Sequence, residues 1–125
     1  MPVPDRNAAK PGQTSVVDVV NMPWKEIAPG VKLKVLWRDE ASGASTVLFS
    51  FAPGSKAPRH EHMGIEQTFV LEGCFEDHDS VITAGNFAVR AAGSVHQGFT
   101  REGSLHLAFF SRPNRLVDTD EQIQF

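Results

Sequence analysis

Tyrosine is absent from this chain, and cysteine occurs once, as Cys74. Without tyrosine there is no phenol to serve as a general acid, a metal ligand or half of a cysteine–tyrosine cross-link. A single cysteine cannot close an intramolecular disulfide, so Cys74 reads as a packed thiol and a reducing, cytoplasmic setting is expected. Lysine and arginine form no run, and the net charge is -3. That balance offers no electrostatic footprint for nucleic acid or an anionic membrane, and neither is expected as a partner. The opening MPVPDRNAAKPGQ has no apolar core of the kind a secretory signal needs, and no stretch is long and hydrophobic enough to span a bilayer. No long segment repeats at a helical period, and no internal repeat marks a solenoid.

What the chain does have is short apolar runs separated by turn formers. Its 125 residues suffice for one domain with a real core. Val31, Leu33, Val35 and Trp37 alternate with Lys32, Lys34, Leu36 and Arg38, the period of a half-buried strand. Thr46–Phe51 is apolar at nearly every position, which predicts a central strand covered on both faces. Further strands are expected at Ser15–Val20, Gln67–Leu71 closing at Gly73, Val81–Thr83, Asn86–Arg90, His96–Thr100 and Leu105–Ser111. Turn signals at Asp39–Gly43, Pro53-Gly54, Glu76–Ser80, Ala84-Gly85, Gly93-Ser94 and Glu102-Gly103 separate them. Short strands at this spacing predict an all-β sandwich or barrel. Residues 1–14 read as a flexible arm, 15–112 as the single β-barrel domain, and 113–125 as a tail or a short helix. Phe49, Phe51, Phe69, Phe87, Phe99, Phe109 and Phe110 read as core, with some lining a pocket.

The stretch GSKAPRHEHMGIEQTFVLEG, Gly54 to Gly73, concentrates the chemistry. On a strand His60 and His62 point to one face while Arg59 and Glu61 point to the other. With Glu66 close by, two imidazoles and a carboxylate can converge on a cation.

Gly54-x5-His60-x-His62-x3-Glu66-x6-Gly73 resembles the first cupin motif, and Gly85-x7-Gly93-x2-His96 resembles the second. The resemblance implies a double-stranded β-helix, the cupin jelly-roll barrel, in which His60, His62, Glu66 and His96 bind one divalent metal. Two positions depart from the pattern: Ala91 stands for a proline before the second motif, and Thr100 for an asparagine after its histidine. The stretch from about Val31 to Arg112 is most similar to the ChrR-type cupin-like domain and its stand-alone relatives, through HEHMGIEQTFVLEG, the acidic FEDHDS turn and AGNFAVRAAGSVH. The first thirty residues lack the histidine and cysteines of the ChrR zinc domain, so anti-sigma activity does not carry over.

Three imidazoles and a carboxylate suit Fe, Zn, Mn or Ni better than the oxygen-seeking Mg or Ca. The implied function is a non-haem, metal-dependent dioxygenase acting on a small chelating ketone or diketone. The alternative is a non-catalytic, ChrR-like module that senses metal or ligand, and an isomerase is a weaker third. His106 is a candidate acid/base group near the site, and Arg90 a candidate anchor for a substrate carboxylate. His78, in the acidic turn, reads as solvated. Besides a small-molecule substrate or ligand, a second copy of the chain is the expected partner, with Ser15–Val20 the strand to pair through.

Overall fold

Among the residues described by the computed structural model, 11–119 and 122–123, all regular structure is strand. In chain order the strands are β1 (Lys25–Ala28), β2 (Val31–Arg38), β3 (Ser45–Phe51), β4 (His60–Glu61), β5 (Glu66–Glu76), β6 (Val81–Thr83), β7 (Phe87–Arg90), β8 (Val95–His96), β9 (Ser104–Phe110), β10 (Asn114–Leu116) and β11 (Gln122–Ile123). They form a seven-stranded sheet in the order β1-β2-β3-β9-β5-β6, with β7 also on β5, and a four-stranded sheet in the order β11-β10-β4-β8. Every strand pair is antiparallel. The fold is thus the all-β, single-domain class expected, and none of the described residues is helical.

The core lies on the inward face of the large sheet. β3 and β9 both alternate strictly between buried and half-buried positions. Their pairing puts Phe49 opposite His106 and Val47 opposite Ala108. Phe49 meets Phe51 and Phe110 edge to face, and Phe51 meets Phe75 likewise. Burying each such ring stabilises the fold by about 1.5–3 kcal/mol. β3 is central as expected but only half covered: Thr46, Leu48 and Ser50 remain partly open on the outer face.

Several expectations are corrected. Ser15–Val20 forms no strand, and Val16 and Val20 are 86% and 88% exposed. β-branched composition favours strands only where a partner edge is at hand, and here none pairs with the segment. Instead Val19 accepts a 2.7 Å hydrogen bond from Lys34 Nζ, which also lies 4.5 Å over the Trp24 ring. This explains why Lys34, on the outer phase of β2, is buried. The C-terminal segment begins not as a helix but as β10, which pairs with β4 and β11. Residues 1–10 of the expected arm and 120, 121, 124 and 125 of the tail lie outside the described residues. His96–Thr100 is strand only at Val95–His96, with Phe99 making isolated bridges to Lys56 and Glu76.

β5 does not close at Gly73 but runs through it to Glu76, with a register shift between Val70 and Glu72. The bulge turns the strand so that Cys74, Phe75, Glu76 and Asp77 are all buried. Phe75 thereby joins the core, whereas Phe69 and Phe87 leave it. They pair across β5 and β7 on the outer face, 41% and 56% exposed.

Candidate metal centre

The small sheet brings the second histidine motif to the first. β4 pairs with β8 so that His60 stands directly opposite His96. Just past β4, the His62 N–H donates to Ser94 O at 2.8 Å and its carbonyl accepts from the Gly93 N–H at 2.6 Å. The turn after Ala91 is therefore clasped to the first motif by backbone, without the missing proline. Glu66 arrives from the large sheet as the first residue of β5. Thr100, at the position of the missing asparagine, serves the fold: its hydroxyl donates to Cys74 O at 2.6 Å and accepts from the Gly103 N–H at 3.0 Å.

His60, His62, Glu66 and His96 are all buried, and one ligand atom from each can be chosen so that all lie within 4.8 Å of one another. The His60 and His96 rings lie 4.5 Å apart, and those of His62 and His96 4.6 Å. His62 Nε2 lies 3.1 Å and His96 Nε2 3.8 Å from Glu66 Oε1. The outer nitrogens are committed elsewhere: His60 Nδ1 bonds Pro58 O at 2.9 Å, and His96 Nδ1 bonds Asp77 Oδ2 at 3.0 Å. Each bond leaves Nε2 as the lone-pair nitrogen facing inward.

Burial lowers the pKa of all three imidazoles. For His62 the loss of solvent comes first, then the charges of His60 and Arg90, and the value falls to about 3. His96 falls to about 2, by desolvation and then the Arg90 charge. Burial raises the Glu66 carboxyl, against the Arg90 charge and the 2.7 Å bond that the Thr68 hydroxyl donates to Oε2.

Neutral imidazoles and a desolvated carboxylate are what a divalent cation needs. Both His62 nitrogens and His96 Nε2 are buried with no hydrogen-bond partner among the described residues, although Asn114 approaches the His62 ring. Leaving buried polar atoms unsatisfied costs about 1–3 kcal/mol each. A cation bound by one His62 nitrogen and by His96 Nε2 removes that cost at the binding atoms, so the residues fit a metal. Their mixed N/O character matches a first-row transition ion.

A small cavity, open to solvent at its mouth, leads to this cluster. Its lining includes His60, Glu66 and His96 together with Phe49, Phe51, Phe75 and Phe110. His106 lines it too, 1% exposed and stacked 4.1 Å from Phe75. Its Nδ1 bonds the Ser104 hydroxyl at 2.8 Å, and desolvation followed by the Arg90 charge lowers its pKa to about 3.

Arg90 is buried rather than exposed, and it does not line the cavity. Its Nε and one terminal nitrogen bond Asp77 Oδ2 at 3.1 and 3.0 Å, and the other terminal nitrogen is 3.7 Å from Glu66 Oε2. It stands behind the ligands as a countercharge. His78 is exposed at the turn, but its neighbour Asp77 is buried and touches His96. Sequence reading missed Asp77. Burial works to raise its carboxyl, but bonds from Ser80, Asp79 and Arg90, with the Arg90 charge, hold it well below the usual carboxylate range.

The sequence pattern of the ChrR cupin-like domain matches residues 12–113. The anti-sigma-E factor ChrR of Cereibacter sphaeroides is 29% identical over 94 residues, covering 70% of this chain and 43% of ChrR, so the chain spans less than half of that relative. A candidate acetylacetone dioxygenase from Methylibium petroleiphilum PM1 superposes with a TM-score of 0.80 at 19% identity, over 89% of this chain and 86% of that one. An acetylacetone dioxygenase from Acinetobacter johnsonii gives 0.75 at 18% identity, over 89% and 82%. At these identities the two structures establish the shared fold.

Proposed function

The chain belongs to the ChrR cupin-like domain family, and from that premise we propose that it is a metal-dependent dioxygenase of small, chelating ketones or diketones. The observation that carries the reading is one cavity with two kinds of lining: His60, Glu66 and His96 from the four-residue cluster, and the rings of Phe49, Phe51, Phe75 and Phe110. A polar chelate of few carbons fits that division: its oxygens face the metal side and its carbon skeleton the phenylalanines. The acetylacetone dioxygenases that share the fold favour the same substrate class.

His60, His62, Glu66 and His96 would hold one Fe, Zn, Mn or Ni ion, which when bound supplies Lewis acidity toward the chelating oxygens and, for a redox-active ion, access to dioxygen. Phe49, Phe51, Phe75 and Phe110 orient the substrate and exclude water. With Nδ1 hydrogen-bonded to the Ser104 hydroxyl, His106 keeps a neutral ring whose Nε2 can hydrogen-bond a substrate oxygen in the cavity. Arg90 offsets the charge of Glu66 from behind. Cleavage of one carbon–carbon bond by one dioxygen places both oxygen atoms in two carbonyl products and needs no outside reductant.

Fe(II)-loaded protein is expected to consume one dioxygen per 2,4-pentanedione in an oxygen-electrode assay. His106→Gln should lower kcat/KM by roughly tenfold, the worth of one hydrogen bond, while metal content stays unchanged. Retention of zinc alone, with no oxygen uptake for any metal across a diketone panel, would sink the catalytic reading. The second reading, a ChrR-like metal or ligand sensor, would then stand on the family match.

A second copy is the proposed macromolecular partner, through the outer face of β5 and β7 and not through Ser15–Val20. There Phe87, Phe69 and Leu107 form one cross-strand row and Val89, Gln67 and Phe109 the next. Neither row carries a charge, so two copies can meet without like-charge repulsion. Two Phe rings of about 200 Å² each, roughly half exposed, with Leu71, Val89 and the partly open β9 side chains, give on the order of 600 Å² per chain, the lower edge of stable interface size. Light scattering at micromolar concentration should give a dimer that Phe87→Arg converts to a monomer. A monomeric wild type would overturn the assignment.

A further inference from the structure

We propose that Asp77 is the positioning residue of the fourth ligand, His96, and that its carboxylate couples the metal site to the Glu76–Ser80 hairpin turn. The inference rests on the metal-binding reading above but on neither the substrate nor the reaction.

The two oxygens of this carboxylate serve different parts of the molecule. Oδ1 belongs to the turn: it accepts from the Asp79 N–H at 3.1 Å and from the Ser80 hydroxyl at 2.6 Å. The Asp77 N–H closes the same turn by donating to Ser80 O at 3.0 Å. Oδ2 belongs to the site: it accepts from His96 Nδ1 at 3.0 Å and from Arg90 Nε and a terminal nitrogen at 3.1 and 3.0 Å. Opening the turn therefore removes the bonds that fix this carboxylate in place against His96 and Arg90. Because Arg90 reaches on to Glu66, one side chain influences two of the four ligands. Asp77 directly follows β5, in the large sheet, while His96 lies on β8 of the small one, so the contact also ties the two sheets together at the site.

A carboxylate on the far nitrogen of a ligating histidine fixes the tautomer, the ring plane and the basicity of the nitrogen that binds. The coupling is reciprocal: if an ordered turn favours metal binding, bound metal orders the turn by the same free energy. The exposed tip at His78 and Asp79 would then report occupancy at the surface.

Co(II) is a suitable probe, since its absorption spectrum reads ligand geometry and chelator competition reads affinity without any turnover. Asp77→Ala should weaken Co(II) binding about 10–100-fold and alter the spectrum. Asp77→Asn, which keeps an acceptor for His96, should fall between it and wild type. Amide exchange at Asp77 and Asp79 should slow when Co(II) is added to wild type and stay unchanged in Asp77→Ala. If Asp77→Ala fails to fold because Arg90 loses its partner, Ser80→Ala carries the same test by removing only the hydroxyl that grips Oδ1, and weaker Co(II) binding is again expected. Unchanged affinity and spectrum in the folded variants, or no effect of Co(II) on exchange at the turn, would overturn the proposal. A wild type that binds no Co(II) would instead overturn the metal-binding reading.

Discussion

His62→Ala is expected to abolish stoichiometric metal binding, lowering Co(II) affinity by at least about 10³-fold, beyond the 10–100-fold typical of outer partners. His62 is the most enclosed of the four residues, at 0% exposure, and besides Glu66 only Asn114 approaches its ring nitrogens among the described residues. Its Nε2 lies 3.1 Å from Glu66 Oε1, closer than His96 Nε2 at 3.8 Å. Alanine would remove one of the four donors and the imidazole that stands beside Glu66 Oε1. Chelator competition and metal analysis of the purified variants provide the check. His78→Ala, at the exposed turn, should bind like wild type. His106→Gln should also retain metal, because His106 faces the cavity and lies outside the four-ligand cluster. Equal Co(II) affinity for His62→Ala and wild type would refute the assignment. Metal should also raise the melting temperature of wild type, since a ligand at one hundred times its Kd stabilises the folded state by about 2.7 kcal/mol. His62→Ala should lose that increment.

This cluster of four could be read from the sequence because three of its residues lie within seven positions and strand periodicity orients two of them together. The fourth followed from a second motif, and the β4–β8 pairing supplies the approach that no local pattern encodes. Asp77 was illegible for the opposite reason. Glu-Asp-His-Asp-Ser has the composition of a solvated turn, and only the bulge at Val70–Glu72 folds that turn inward over Arg90 and His96. Phe69 and Phe87 show residue type misleading where phase would have served. Phe69 lies three residues beyond Glu66, so in a strand it faces away from the ligand side, and its partner Phe87 follows it outward. Ser15–Val20 shows the limit of propensity: β-branched residues cannot make a strand where no edge receives them. For Arg90 the position near the site was legible, but its role depends on Asp77, a contact made across thirteen residues.

Gly73→Ala is expected to cost more than about 3 kcal/mol, above the usual range for a single substitution, because it has a named steric cause. Gly73 has φ of +73°, a region that L-residues enter at a cost of about 1–2 kcal/mol. The larger penalty is positional. A Cβ here would overlap the carbonyl oxygen of Gly103 and crowd the Ser104 backbone, atoms of the adjoining strand that no rotamer change can move. The strain would fall where β5 pairs with β9, between the bulge and the buried Cys74–Asp77 segment. Gly85→Ala separates the two contributions: Gly85 has φ of +85° but nothing within 4 Å of an added Cβ. It should lose only the conformational share, about 1–2 kcal/mol. Urea denaturation of metal-free protein measures both, and in heat the gap should appear as a melting temperature about 10 °C lower for Gly73→Ala than for Gly85→Ala. Equal losses would show that backbone conformation alone constrains Gly73 and that β9 can yield. A Gly73→Ala protein that folds but binds Co(II) weakly would place the damage at the Asp77 turn, because the same strand that carries Glu66 at its start delivers Asp77 just beyond its end.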